Sequence, residues 1–263
     1  MRTIGINYYT SSPLSVEEFA HEIKALGFGA SFTGLLSDDN LYKVANSFAH
    51  FNISYETIHA PFDKINDIWL DGLSGDEMLS RLKITVDACH RFNIPIAVVH
   101  LSSGENAPSI SDVGKRRFSD LIDHAERSNV KIAFENQRKL ANIAWAFEEF
   151  KGANVGFCWD CGHEGCFTPG REYMPLFGNR IICTHIHDNP GIYNKDLHCI
   201  PFDGSLDYYR ISRQIRESGY AGSLMLEVFP ENSEMYKGIS PTDFLERAAV
   251  AAKRLRDIVD MRS

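Results

Sequence analysis

"RIICTHIHDN" (Arg180 to Asn189) begins as an ordinary buried strand and ends in His185, His187 and Asp188, three groups that bind metals or protons. Ile181, Ile182 and Ile186 are β-branched and apolar, which suits a pleated, packed surface. A strand that reads as core but finishes in ligands expects its end to open on a site. Other segments read the same way. "ISYETIHAP" closes on His59, "IPIAVVHLS" on His100, "VKIAFENQ" on Glu135, "NVGFCWDCGH" on Asp160 with His163 beyond, and "SLMLEV" on Glu227.

Between these strands lie longer amphipathic segments. "SVEEFAHEIKALG" has Ser15 as N-cap, Glu18 three residues on and Gly27 as a stop. "DNLYKVANSFAHFN", "GDEMLSRLKITVDACHRFN", "SDVGKRRFSDLIDHAERSN", "LANIAWAFEEFKG", a short "EYMPLFG", "LDYYRISRQIRESG" and "PTDFLERAAVAAKRLRDIV" read as helices. With "TIGINY" and the weaker "ASFTG", eight strand–helix units result. Continuous apolar strands alternating with helices imply parallel strands covered on both faces. Eight such units predict a single (β/α)₈ TIM barrel of class α/β, one domain over residues 1–263. An open doubly wound sheet is the competing arrangement, but no GxGxxG follows the first strand.

Composition sets the outer bounds. Of 263 residues, 44% are hydrophobic, enough to bury one large core, and no linker or low-complexity tract divides them. The formal net charge of −8 argues against nucleic acid, whose phosphates need clustered Lys and Arg. No signal peptide and no long apolar run appear, so neither secretion nor a membrane partner is expected. The six cysteines then read as free thiols in a reducing, cytoplasmic setting.

A barrel forces its strand ends onto one ring, and catalytic groups gather there. Two Glu, one Asp and a His converging without cations repel one another, and only Arg138 and Lys195 are near in sequence. A divalent metal resolves this, and carboxylates with imidazole suit Mn, Zn, Co or Fe(II) better than a thiolate-loving ion. A structural zinc site on Cys158, Cys161, His163 and Cys166 is disfavoured, because no second ligand pair follows at a suitable spacing.

The motifs "IHAPF", "VVHLSSG", "IAFENQ", "FCWDCGH", "THIHDN", "DLH" and "LMLEV" occur in one order between Ile58 and Val228. In that order the chain resembles the xylose isomerase-like TIM barrel superfamily, in particular its sugar phosphate isomerase/epimerase and endonuclease IV branch (AP endonuclease family 2-like). The resemblance implies a divalent metal held by Glu135, Asp160, His185 and Glu227, with His185 preferred to His187 because His185 to Asp188 matches the family's His-hydrophobic-x-Asp. The endonuclease relatives hold three zinc ions. The resemblance places His59, His100, His163, Asp196 and His198 at the additional positions, as ligands of a second metal or as substrate contacts.

The implied activity is a metal-dependent sugar or polyol isomerase or epimerase working through a metal-stabilised enediolate, with Glu135 and Glu227 exchanging the proton beside a carbonyl. A keto-polyol dehydratase and a zinc-dependent abasic-site nuclease are the alternatives. Two segments depart from relatives. "CIPFDGSLDYY" stands where a Pro-Gly-x-Gly turn is common, and the acidic "GLLSDDN" stands where DNA-repair relatives carry Arg-bearing loops. The expected partner is therefore a small sugar or polyol, with a homo-oligomer compatible with this reading.

Overall fold

A computed structural model describes residues 1–261. Arg262 and Ser263, the end of the span expected to form one domain, lie outside the described residues. The strands are β1 (Ile4–Asn7), β2 (Ala30–Gly34), β3 (Ser54–His59), β4 (Ile96–His100), β5 (Lys131–Glu135), β6 (Val155–Asp160), β7 (Ile181–His185) and β8 (Leu224–Leu226). All the pairings are parallel, in the order β7-β6-β5-β4-β3-β2-β1-β8. The ring shuts between β7 and β8 by a parallel bridge of Ile186 with Leu226. Ile186 N–H donates to the Met225 carbonyl at 2.9 Å, and Met225 N–H donates to Thr184 Oγ1 at 3.1 Å. This is the (β/α)₈ barrel that the strand–helix alternation predicts.

The helices around it are α1 (Val16–Ala25), α2 (Asp38–His50), α3 (Leu73–Arg91), α4 (Asp112–Arg127), α5 (Leu140–Glu149), α6 (Cys161–Phe167), α7 (Met174–Phe177), α8 (Tyr208–Glu217) and α9 (Pro241–Asp260). The capping box anticipated at α1 is present: Glu18 N–H donates to Ser15 Oγ, and Ser15 N–H donates to Glu18 Oε2 at 2.9 Å. No helix among the described residues is long and apolar enough to cross a membrane.

Side-chain alternation along each strand sorts the core into two parts. Outward residues such as Ile4, Ile6, Val99, Phe134, Phe157, Trp159 and Leu226 join one large cluster. Inward residues form two small separate clusters, Val98 with Ala133, Cys158 and Cys183, and Ala30 with Phe32 and Met225. Two positions further along each of these inward rows the chain reaches the barrel mouth. Val98 leads to His100, Ala133 to Glu135, Cys158 to Asp160, Cys183 to His185 and Met225 to Glu227. An apolar plug therefore lies directly beneath the polar ring.

The sequence places the end of the sixth strand at Asp160, with His163 just beyond it. The structure ends it at Asp160 and begins α6 at Cys161. The reason is local: the Asp160 carboxylate accepts the His163 N–H at 2.6 Å and so acts as the N-cap of α6.

Candidate metal centre

Glu135, Asp160, His185 and Glu227 each offer one ligand atom such that all four atoms lie within 4.8 Å of one another. All four residues are buried. His185 Nδ1 stands 2.5 Å from Glu135 Oε1 and 3.3 Å from Glu227 Oε2. The imidazole is clamped from behind by Phe32, stacked at 4.5 Å between ring centroids. The other Glu135 oxygen meets His100 Nε2, and His59 Nε2 lies 3.3 Å from it. His59 and His100 face each other at 3.2 Å.

A second group forms beside the first. His163, His187, Asp196 and His198 again place ligand atoms within 4.8 Å of one another. Asp196 Oδ2 lies 3.2 Å from both His163 Nε2 and His198 Nε2. His198 sits in the left-handed region at φ 47°, an unfavourable conformation for a side chain held there by its surroundings. Its Nδ1 lies 3.1 Å from the Glu227 carbonyl, and its ring stacks on His187 at 3.9 Å.

His187 is the residue the structure repositions. The resemblance leaves it second to His185 as a ligand for the same ion. Instead the regular strand stops at His185, Ile186 turns to bridge β8, and His187 Nε2 meets Asp160 at 3.0 Å. Asp160 thus stands between the two groups. Gly162 makes this approach feasible, since a Cβ there would meet the His187 ring at 2.1 Å.

Charge in the site follows from burial and its neighbours. Burial opposes ionisation of Glu135, but the imidazoles of His185 and His100 outweigh it and hold the carboxyl well below its ordinary range. Glu227 is also drawn down: burial opposes ionisation, and His185 and His198 prevail. Burial disfavours the imidazolium of His185, yet Glu227 and Glu135 raise it well above its ordinary value. The same contest raises His163 to about 10, against burial, through Asp160 and Asp196, and His198 to about 9 through Asp196. His100 moves the other way, pushed down by burial.

Neither cation named from the sequence neutralises these carboxylates. Lys195 is exposed, and Arg138 lies over the Phe167 ring and donates to Asn194. Three carboxylates and an imidazole without a Lys or Arg form a donor set that suits a divalent cation. In the second group, His187 Nδ1 is buried with no hydrogen-bond partner among the described residues, which also suits an ion. No cysteine joins any of these groups among the described residues, and all six are free and buried.

Two supporting residues, Gln137 and Asn136, were missed by sequence reasoning, and a third, Asp188, was named there only as a ligand-type group. Gln137 spans His100 Nε2 at 3.2 Å and His163 Nδ1 at 3.0 Å. Asn136 ties to the Asp160 backbone in both directions at 2.8 Å. Asp188 is a buried anchor: its carboxylate accepts the N–H groups of Asn189, Phe202 and Leu206 and so folds the loop that carries Asp196 and His198. Both Asn136 and Gln137 directly follow Glu135, and that adjacency was the available signal.

Above the ring the mouth has two connected halves, of about 410 and 540 Å³, sharing His59, Phe62, Glu227 and Phe229. That is the size range of small-ligand sites.

A model of the family described as xylose isomerase-like TIM barrel matches residues 18–255. The chain belongs to this family. It is 32% identical over 200 residues to uncharacterized protein y4fM of Sinorhizobium fredii (strain NBRC 101917 / NGR234). That match takes in 71% of this chain and 61% of the relative, so the chain spans about three-fifths of the relative's length. Among solved structures, a D-tagatose 3-epimerase-like protein superposes with a TM-score of 0.78 at 18% identity, over 98% of this chain and 97% of the other. D-psicose 3-epimerase with D-tagatose, from Clostridium cellulolyticum H10, gives 0.80 at 13%, over 98% and 100%. The 3-keto-D-glucoside 4-epimerase YcjR from E. coli, in its apo form, gives 0.73 at 17%, over 98% and 100%. At these identities the likeness to solved members of the family is one of fold.

Proposed function

We propose that this chain, acting as one domain over residues 1–263, is a divalent-metal-dependent isomerase or epimerase of a small sugar or polyol. The observation that carries the reading is the convergence of Glu135, Asp160, His185 and Glu227 from successive strand ends within 4.8 Å. The epimerases among its structural relatives support it. A bound ion supplies Lewis acidity toward a carbonyl and its neighbouring hydroxyl. The chain's own residues supply the proton chemistry. Glu135 and Glu227 reach the same imidazole nitrogen from β5 and from just beyond β8, so they flank the site from two sides. Both carboxyls are held ionised, which makes each a proton acceptor. For epimerisation one carboxylate would take the proton from the carbon beside the carbonyl, and the other, after picking up a proton from solvent, would deliver it to the opposite face, the first then losing its proton to solvent. His163, fixed by Gln137 and Asp196, is placed to bind a substrate oxygen, and His59 and His100 orient Glu135.

Protein purified without added metal should hold a stoichiometric divalent ion. With its sugar it should exchange a carbon-bound proton with solvent deuterium, read by NMR. Metal-loaded protein that exchanges no proton with any ketose or aldose of a broad panel would sink this reading.

One observation favours a second reading. His163, His187, Asp196 and His198, together with His59, Glu135 and His185, provide room for more than one ion, the equipment of phosphoester hydrolysis. Incubation of pure, metal-loaded protein with an abasic duplex decides between them.

A further inference from the structure

Arg138 is the only Lys or Arg among the described residues lining either half of the mouth, whose lining also includes Asp63, Glu135, Asp196 and Glu227. Its guanidinium carbon lies 3.6 Å above the centroid of Phe167. Phe167 in turn stacks on His163 at 4.9 Å, with the two planes only 23° apart. A column of guanidinium, phenyl and imidazole therefore runs from the rim down to the second ligand group. Stacking occupies the flat face of the guanidinium and leaves its in-plane donors for other partners. Nη2 donates to Asn194 Oδ1, and the Asn194 amide lies 3.4 Å from Glu105 Oε1. Nε is buried with no partner among the described residues. A buried N–H left without an acceptor is costly, so a merely parked surface arginine is a poor account of it.

We propose that Arg138 is a specificity residue that takes an anionic oxygen group, a phosphate ester or a carboxylate, at the far end of the substrate. The inference rests on the isomerase reading and adds the substrate class to it. The planar fork matches either oxyanion, and the Phe167 stack holds it ready. The same geometry fixes direction of binding. With the charged end held at Arg138, the carbonyl end descends to Glu135 and Glu227.

The test uses metal-loaded protein and matched substrates: D-ribulose against D-ribulose 5-phosphate, D-fructose against D-fructose 6-phosphate, and D-tagatose against D-tagaturonate. The readout is kcat/KM for deuterium exchange from solvent. The charged member of one pair should exceed its neutral partner by ~10–100-fold, the value of a charged hydrogen bond, and which pair does so separates phosphate from carboxylate. Arg138→Met should collapse that ratio towards one, and Arg138→Lys should restore part of it. Inorganic phosphate is also titrated into the same loaded proteins by calorimetry, and Arg138→Met should weaken its binding by roughly tenfold. Thermal unfolding checks that both variants fold. Exchange with equal or better use of neutral sugars, unaltered by Arg138→Met, overturns the anion site and leaves the isomerase reading standing. No exchange with any sugar, but phosphate binding that depends on Arg138, sinks the isomerase reading and leaves the anion site. Phosphate binding that is unchanged in Arg138→Met also overturns the site.

Discussion

Loading a divalent ion onto the metal-free protein should expel protons, and their number should count the ions. His185 Nδ1 lies 2.5 Å from Glu135 Oε1 and 3.3 Å from Glu227 Oε2, and these carboxylates raise its proton affinity well above the usual histidine value of 6.5. At neutral pH that nitrogen therefore carries its proton. A metal needs the same lone pair, so the proton must leave. One ion at this group should release roughly one proton, and its affinity should rise roughly tenfold per pH unit between about pH 6 and about pH 8. The second group behaves alike. His163, raised to about 10, and His198, raised to about 9, both point Nε2 at Asp196. If that group fills as well, the total should approach about three protons. Calorimetric titration of Mn or Zn in buffers of different ionisation enthalpy reads the number directly. An affinity flat across that pH range, with heats independent of buffer, would refute the reasoning.

Four further outcomes are expected. Glu135→Gln and Glu227→Gln should each lose turnover by ~10²–10⁴-fold even where metal content, measured by elemental analysis, is retained, because an amide accepts no proton. A metal-loaded Glu227→Gln protein with near wild-type turnover would leave that residue a ligand only. The metal-free protein should melt at lower temperature as pH falls below 4.5, the ordinary value from which the Glu135 and Glu227 carboxyls are depressed. Their contribution is complete above that pH and is lost on acidification, whereas that of His185 is complete below 6.5 and fades as pH rises through its raised value. Gly162→Ala should cost ~1–3 kcal/mol in denaturant unfolding, since its Cβ would meet the His187 ring at 2.1 Å, outweighing alanine's better helix propensity. Abasic-site duplex DNA should stay intact, because the mouth is acidic and the loop after β2 carries Asp38 and Asp39; metal-dependent nicking on a gel would contradict the sugar reading.

The barrel was legible because period-two alternation and ligand chemistry coincide. Val98 then His100, Ala133 then Glu135, and Cys158 then Asp160 each put a polar group one inward step above an apolar one. Three such rows in succession could be read without coordinates. The partition of the histidines could not. Whether His187 sides with His185 or with His198 depends on where β7 leaves its ladder, and the register between β6 and β7 shifts at Phe157/Cys158. Irregular pairing is set by tertiary packing, which local pattern does not encode. Nor does spacing show that Phe32 backs His185, or that Asp188 points away from the ring to pin a loop.

The seam between β7 and β8 also bears on how the protein comes into being. It joins by one short bridge, and the groups on either side of it, His185 and Glu227, belong to the same prospective ion. Glu135 lies 50 residues before His185, and His59 a further 76 before Glu135, so no fragment made early in synthesis owns a complete set of ligands. Tight ion uptake is thus a privilege of the finished ring. An ion that clasps both lips of the seam would act as a rivet, raising the barrier to reopening the barrel at its weakest joint, and chelation would expose that joint first.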